Sequence, residues 1–295
     1  MDPNNSLTSR FETQRGHLRA VAYRMLGSLA EADDAVQEAW LRLDRADTSE
    51  VRNLDGWLTT VVARVSLDML RSRGARREEP LDVHVPDPII GRLDVTAPDP
   101  EQQTVLADSV GLALLVVLDT LAPAERLAFV LHDMFAVPFD DIAPIVGRTP
   151  TAARQLASRA RRRVRGQAPV PETDLARQRE VVDAFMAASR DGDFDALLAV
   201  LDPDVVLRAN EAEGSRIIRG ARAVAGNALA YRRFADPTWF ARLALVNGGL
   251  GIVTTRDGRP VAVLGLTIAH GRIVEMDILA DPERLRHLDL TILDG

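Results

Sequence analysis

The sequence predicts a multidomain chain: two all-α helical blocks, then an α+β domain built on a curved antiparallel sheet. Three observations predict it. Residues 9–77 and 104–165 carry helical periodicity alone, and a proline- and acid-rich stretch separates them. After Ala168-Pro169-Val170-Pro171 the pattern changes to helices mixed with β-like runs. A length of 295 residues is long for one core, so two or three domains are expected.

The elements follow in order. Helices are expected over Ser9–Leu26, Ala30–Asp44 and Asp55–Ser72, punctuated by Gly27 and the polar run Arg45–Asn53. Residues 78–103 hold Pro80, Pro86, Pro88, Pro98 and Pro100 among many acids, and read as an ordered or semi-extended linker. Helices resume over 104–165. Beyond them, helices Leu175–Ser189 and Ala221–Ala235 mix with strands Val205–Ala209, Arg242–Val246, Gly251–Thr255, Val261–Ile268 and Arg272–Leu279. The pairs Asp257-Gly258 and His270-Gly271 are turn signals of a meander. The apolar strand Val261–Ile268 calls for cover on both faces, by the linker or the helical blocks. The expected division is therefore 1–77, 78–103, 104–168 and 169–295.

Composition excludes several classes. The chain is 46% hydrophobic and 27% charged, a globular balance. It has no cysteine, hence no disulfide framework or thiolate chemistry, which suits a cytoplasmic protein. No apolar run approaches the roughly 20 residues that span a bilayer, so no membrane association is expected, and MDPNNSLTSR holds no secretion signal. The five histidines are scattered without ligand spacing, so no metal is expected, and no cofactor. The net charge of −7 hides two arginine clusters, one at Arg71, Arg73, Arg76 and Arg77, the other running from Arg154 to Arg165. Concentrated positive charge on an acidic chain points to directed phosphate contact, although arginine is also favoured at helix C-termini by the dipole.

Two surfaces stand out. Drawn as a helix, residues 33–44 put Ala35, Val36, Ala39 and Leu43 on one face, with Trp40 at its edge. The opposite face carries Asp34, Gln37 and Glu38 around Leu41, an apolar residue in an acidic frame. In "DDIAPIVGRTPTAARQLASRARRRV", a short helix Phe139–Val146 ends at Gly147, and Thr149 caps a second helix whose first residue is proline. Ala153, Leu156, Ala157 and Ala160 make a small-residue buried face, leaving Thr151, Arg154, Gln155, Ser158, Arg159 and Arg162 outward. That is a helix-turn-helix, whose second helix would enter a major groove.

With these residues in view, the first 166 resemble a bacterial sigma factor of the extracytoplasmic-function (ECF) group. The resemblance lies in "AVAYRMLGSLAEADDAVQEAWLRL", "GWLTTVVARVSLDMLRSRGARR" and "LDTLAPAERLAFVLHDMFAVPFDDIAPIVGRTPTAARQLASRARRRV". The part from about Leu175 resembles the SnoaL-like cone fold of the nuclear transport factor type, and the combination resembles the SigJ-like subgroup. The resemblance implies core RNA polymerase and promoter DNA as partners, with contacts on the β′ coiled coil and β flap. It implies that Asp34, Gln37, Glu38 and Leu41 face the β′ coiled coil. Asn53 and Trp57 would help capture a flipped base of the −10 element, although Trp57 could equally be a core residue. Arg64, Arg71, Arg73, Arg76 and Arg77 would follow the −10 DNA. Thr151, Arg154, Gln155, Ser158, Arg159 and Arg162 would read the −35 element.

The same resemblance gives the linker and extension a regulatory part, through intramolecular contact with each other and with the sigma domains. The subgroup's linker motif appears as His84-Val85-Pro86-Asp87-Pro88-Ile89, without the usual tryptophan. The extension's motifs appear as "ANEAEGSRIIRG" and as Asp281-Pro282-Glu283-Arg284-Leu285, where Asp281 and Arg284 replace asparagine and lysine. A pocket in the cone would be lined by Tyr231, Asp236 and Asp277, with Glu275 as a further acid and Arg208 or Arg242 as polar partners. No acid–base pair can be assembled from spacing, so a non-catalytic extension is expected, with a cyclase- or isomerase-like enzyme or a ligand sensor as the rival. One copy per polymerase implies a monomer.

Overall fold

The structure, a computed structural model, describes residues 3–46, 53–76, 85–93, 111–234 and 238–288. They fall into two units. Residues 3–76 with 117–167 make one, and 85–93, 111–116 and 168–288 make the other.

The first unit is helical. Helix α1 spans Pro3–Leu26, longer at its start than periodicity predicts, and Gly27 ends it in the left-handed conformation (φ 71°). Ser28 caps α2 (Leu29–Arg45), accepting the Glu31 N–H at 3.4 Å. Asn53 accepts the Gly56 N–H at 3.1 Å ahead of α3 (Leu54–Arg76). Of α4 (Leu112–Asp119) only residues 117–119 belong to this unit; α5 (Pro123–Phe129) follows and continues as a π-helical turn over Val130–Met134. Then come α6 (Phe139–Val146), Gly147 at φ 67°, and α7 (Pro150–Gln167). Thr149 accepts the Ala152 N–H at 3.3 Å, the cap the sequence signals.

The two halves of this unit share one interior. Phe11, Leu18, Met25, Leu58 and Leu67 from α1 and α3, and Leu127, Leu131 and Ile142 from α5 to α6, are fully enclosed. Arg126 of α5, only 3% exposed, donates to the Met25 carbonyl of α1 (2.8 Å) and to Asp119 (2.7 Å). A buried guanidinium needs such partners, because an unpaired one costs several kcal/mol (of order 3–5). Phe135 meets His17 edge-on at 5.2 Å and Arg24 at 4.7 Å, closing the same seam.

The second unit holds a seven-stranded sheet in the order β1-β4-β5-β6-β7-β2-β3. Strand β1 is Ile90–Gly91; helices α8 (Leu175–Asp191) and α9 (Phe194–Val200) precede β2 (Leu201–Glu211) and β3 (Gly214–Arg219). Helix α10 (Ala221–Phe234) leads to β4 (Trp239–Val246), β5 (Gly249–Arg256), β6 (Arg259–Ala269) and β7 (Arg272–Ala280), and a last turn, α11, covers Pro282–Leu285. Neighbours are antiparallel except β2 and β7, which run parallel. Asn247-Gly248, Asp257-Gly258 and His270-Gly271 all have positive φ at both residues, the geometry of tight hairpin turns. The sequence reading marks the second and third of these pairs and all five inner strands, but misses β1, β3, α9 and α11.

Helices α8 to α10 cover one sheet face, where Val205, Leu207, Leu250, Ile252, Leu266 and Met276 meet Val182, Phe185 and Val224 in one core. Gln178 of α8 ties the layers by accepting the buried Leu250 N–H at 2.8 Å. The opposite face is buried too: Val253, Val263 and Ala244 are nearly inaccessible. A Cβ at Gly265 would lie 2.7 Å from Leu112 Cδ2, so the start of α4 supplies part of that cover.

Candidate functional sites

Helix α2 presents the two faces its sequence encodes. Ala35, Val36, Ala39 and Leu43 are buried, and Trp40 packs on Phe11 with ring centroids 4.9 Å apart. Asp34 and Gln37 are exposed, Glu38 is half-buried, and Leu41 is 39% exposed, one of few large apolar side chains so placed among the described residues. Glu38 is paired with Arg42 at 2.9 Å. An open groove runs beside this face, lined by Glu31, Asp34, Glu38 and Arg42 of α2 and by Val65, Asp68 and Met69 of α3. The surface offers an apolar anchor within an acidic rim, suited to a basic protein partner.

On α7, Ala153, Ala157 and Ala160 are fully buried and Leu156 half-buried, while Thr151, Arg154, Gln155, Ser158, Arg159 and Arg162 all stand outward. Small residues allow α7 to sit close on α5 and α6. The outward face is partly organised from within: Arg154 lies over the Phe139 ring at 5.2 Å, and Arg159 donates to Glu125 at 2.8 Å.

A third site joins the linker to the sheet unit. Val85, Pro86, Asp87 and Pro88 are buried there. Arg284 donates through Nε to Asp87 at 2.8 Å and through a terminal nitrogen to the Val85 carbonyl at 2.6 Å; the same nitrogen also reaches Asp87. Asp281 caps α11, accepting the Glu283 and Arg284 N–H groups at 2.9 Å each, and so aims Arg284. Leu285 is buried beside it, whereas Pro282 and Glu283 are exposed. The strap is fastened twice more. Asn210 accepts the Val85 N–H at 2.6 Å, and Asn247 both accepts the Ile89 N–H (3.0 Å) and donates to its carbonyl (2.8 Å). Ile90 and Gly91 then extend the sheet along β4.

Known proteins match this arrangement. Residues 11–76 fit the family model for Sigma-70 region 2, and residues 111–164 that for Sigma-70 region 4. The chain is 41% identical over 291 residues to the ECF RNA polymerase sigma factor SigJ of Mycobacterium tuberculosis, covering 94% of this chain and 92% of that one. The chain belongs to the ECF sigma factors. SigI of the same organism, also named as an ECF RNA polymerase sigma factor, is 34% identical over 285 residues, 97% of each chain. The crystal structure of M. tuberculosis SigJ matches with a TM-score of 0.74 and 38% identity, across 94% of this chain and 97% of that one. The helical sigma regions followed by the α+β extension are therefore a shared architecture.

Within this sigma factor, the residues expected at the −10 element fare unequally. Arg64 and Arg71 are exposed on α3, Arg71 lying 3.6 Å from Asp68. Arg73 is turned inward instead. It pairs with Glu31 and donates to the Leu26 carbonyl at 3.4 Å, pinning the end of α3 to the α1–α2 junction. Asn53 spends its Oδ1 on the α3 cap, and Trp57 is half-buried in the first turn. Arg76 is placed on α3 by its backbone alone, and Arg77 lies outside the described residues.

The pocket expected in the extension is corrected. Asp277 alternates with Met276 and Ile278, which enter the core beneath α8 to α10, so its side chain lies on the opposite face of the sheet. There it pairs with Arg208, its register partner on β2, at 3.0 Å, and Arg208 also holds Glu275 at 2.7 Å. Tyr231, 46% exposed on α10, instead meets Trp239 with ring centroids 5.7 Å apart, and Asp236 lies outside the described residues. Burial pushes the Asp277 carboxyl up to about 6; Arg208 opposes that rise and Glu275 adds to it. Burial disfavours the charge on Arg208, but the two carboxylates outweigh it and raise its pKa. Two acids on one arginine leave Asp277 Oδ2 and Glu275 Oε2 buried without a hydrogen-bond partner. Among the described residues no group of histidines and acids could hold a metal ion, and no helix is long and apolar enough to cross a membrane.

Proposed function

We propose that this chain is an alternative sigma factor whose extension restrains or supports its activity through the linker. It binds core RNA polymerase, directs it to particular promoters and starts transcription there. Family membership over both sigma regions carries the reading. Asp34, Gln37, Glu38 and Leu41 supply the docking face for the β′ coiled coil, with region 4 engaging the β flap. Thr151, Arg154, Gln155, Ser158, Arg159 and Arg162 meet the −35 element, the N-terminal residues of α7 reading bases and the arginine tail meeting phosphate. Asn53, Trp57, Arg64 and Arg71 serve the −10 element, where a flipped base exchanges its stacking for a protein pocket. The protein acts in the cytoplasm as one copy per polymerase.

The clamp of Asp87 and Val85 by Arg284 supports the regulatory part of this reading. While the clamp holds, the acidic linker is kept on the sheet and withheld from the polymerase. The extension is not a catalyst in this account: Asp277 is engaged by Arg208 on the sheet face away from the helices. Run-off transcription with core polymerase tests the reading. Full-length Arg154→Ala/Gln155→Ala should retain core binding and lose at least tenfold of promoter-specific transcript, while Arg284→Met should shift transcript yield with an unchanged promoter preference. Promoter-specific transcript at the wild-type level from the first variant would contradict the −35 assignment, and an unchanged yield from the second would contradict the clamp's regulatory part.

A further inference from the structure

Glu125 is the third residue of α5, outside the outward face of α7, and its side chain is only 10% exposed. Both of its oxygens are used. One accepts from Arg159 Nε at 2.8 Å, and the other accepts from an Arg163 terminal nitrogen at 3.2 Å. Those arginines are one turn apart on α7, and each keeps about half its side chain in solvent (50% and 52%). A single enclosed carboxylate thus grips two adjacent guanidinium groups from beneath, while their outer surfaces remain open. An arginine side chain left alone on a helix samples many rotamers, and ordering it on contact with a ligand weakens binding. A carboxylate held against it also removes part of its attraction for any phosphate.

Resting on the −35 reading above, we infer that Glu125 is a positioning residue for promoter recognition. It fixes the direction in which Arg159 and Arg163 approach DNA, and it lowers their attraction for DNA of arbitrary sequence. The two effects act on different quantities. Fixed direction strengthens binding to the correct site. Charge compensation weakens binding to every duplex alike. Glu125 therefore widens the ratio between specific and non-specific affinity.

The test uses holoenzyme assembled from core polymerase and the full chain. Affinities are measured across a salt series for a duplex selected by the wild-type holoenzyme and for a scrambled duplex of equal length. Glu125→Gln, close in shape, should lower the specific-to-scrambled ratio about tenfold, raise affinity for the scrambled duplex, and steepen its salt slope by about one ion. Glu125→Asp keeps the charge but shortens the reach. It should lower the ratio similarly and leave the salt slope at the wild-type value. Asp133→Asn releases Arg161, which Asp133 holds at 2.5 Å, and should raise both affinities with no change in ratio. A merely structural role would weaken both duplexes together and leave slope and ratio alone, which would overturn the inference, as would a ratio within twofold of wild type in Glu125→Gln. If Arg159→Gln and Gln155→Ala also left the ratio intact, the −35 reading itself would fall; if they lowered it while Glu125→Gln did not, only the part assigned to Glu125 would.

Discussion

Loosening the linker clamp should be visible in the strap's own amides. Asp87, 8% exposed in its side chain, receives charge-assisted hydrogen bonds from Arg284, 23% exposed. Asp87→Asn keeps the acceptor oxygen and removes the charge. Hydrogen bonds to charged groups contribute about 1.5–3 kcal/mol and neutral ones about 0.5–1.5, so the substitution costs about 1–2 kcal/mol. Arg284→Met goes further. It deletes the Asp87 and Val85 bonds together and deprives a buried carboxylate of this cation, at about 3–5 kcal/mol. The Asn210 bond to Val85, the paired Asn247 bonds to Ile89 and the short β1–β4 ladder stay in place. Local opening of 85–91 then becomes the cheapest motion in that part of the unit. Because about 1.4 kcal/mol is a factor of ten, amide exchange at Val85 and Ile89 should quicken about tenfold in Asp87→Asn and about a hundredfold or more in Arg284→Met. The Leu250 amide, held by Gln178, is the internal reference and should not change. Asp87→Asn/Arg284→Met should exchange no faster than Arg284→Met alone, since both remove one interaction. Exchange within twofold of wild type at Val85 and Ile89, or fully additive effects, would refute the clamp as the fastening of this strap.

Two further outcomes follow from the sheet unit. Asp277 has a folded pKa of about 6 against an ordinary value of 3.8, so the folded state holds the extra proton between those values. Stability from this group is therefore full below pH 3.8 and lost as pH rises through 6, by up to about 3 kcal/mol. Asp277→Asn should remove that slope: thermal melts of the full chain should favour the wild type less at pH 8 than at pH 5, and a difference independent of pH would sink the assignment. At Gly251 a Cβ would clash with Val246 and stand 2.5 Å from the Leu264 carbonyl, which belongs to the neighbouring strand. Gly251→Ala should destabilise the unit by about 1–3 kcal/mol in denaturant unfolding, and a neutral result would show that the strands part more easily than their packing implies.

Much of the fold was legible because its signals are local. The α2 stripe, the Thr149-Pro150 helix start and the glycine turns each depend on residues within one or two turns of one another, and each is found as read. Strand β3 was missed because Gly214–Arg219 is an edge strand with charged and apolar residues mixed on an exposed surface. Helix α9 was missed although Asp193 caps it, since seven residues give periodicity little room to register. The face that Asp277 takes is hidden from the sequence for a geometric reason. Strand parity decides which face a side chain takes, and register shifts beside Thr267 and between Leu201 and Val206 obscure it in the sequence. Arg73 looked like its neighbours in an arginine run, and only the fold brings Glu31, 42 positions away, to meet it. The clamp joins Arg284 to a residue 197 positions distant, which periodicity cannot reach; the family motif alone pointed there. Glu125 carried no signal beyond its place in the first turn of a helix.

The central claim is that this chain docks on core RNA polymerase through the exposed face of α2. Equilibrium binding of labelled full-length protein to core polymerase, for the wild type and Leu41→Glu, tests it most directly. Leu41 is 39% exposed and outside the α2 core, so the substitution should leave the helical unit folded. The account predicts tight wild-type binding and a loss of at least tenfold in Leu41→Glu with an unchanged melting temperature. Equal affinity of the two proteins for core polymerase would contradict it.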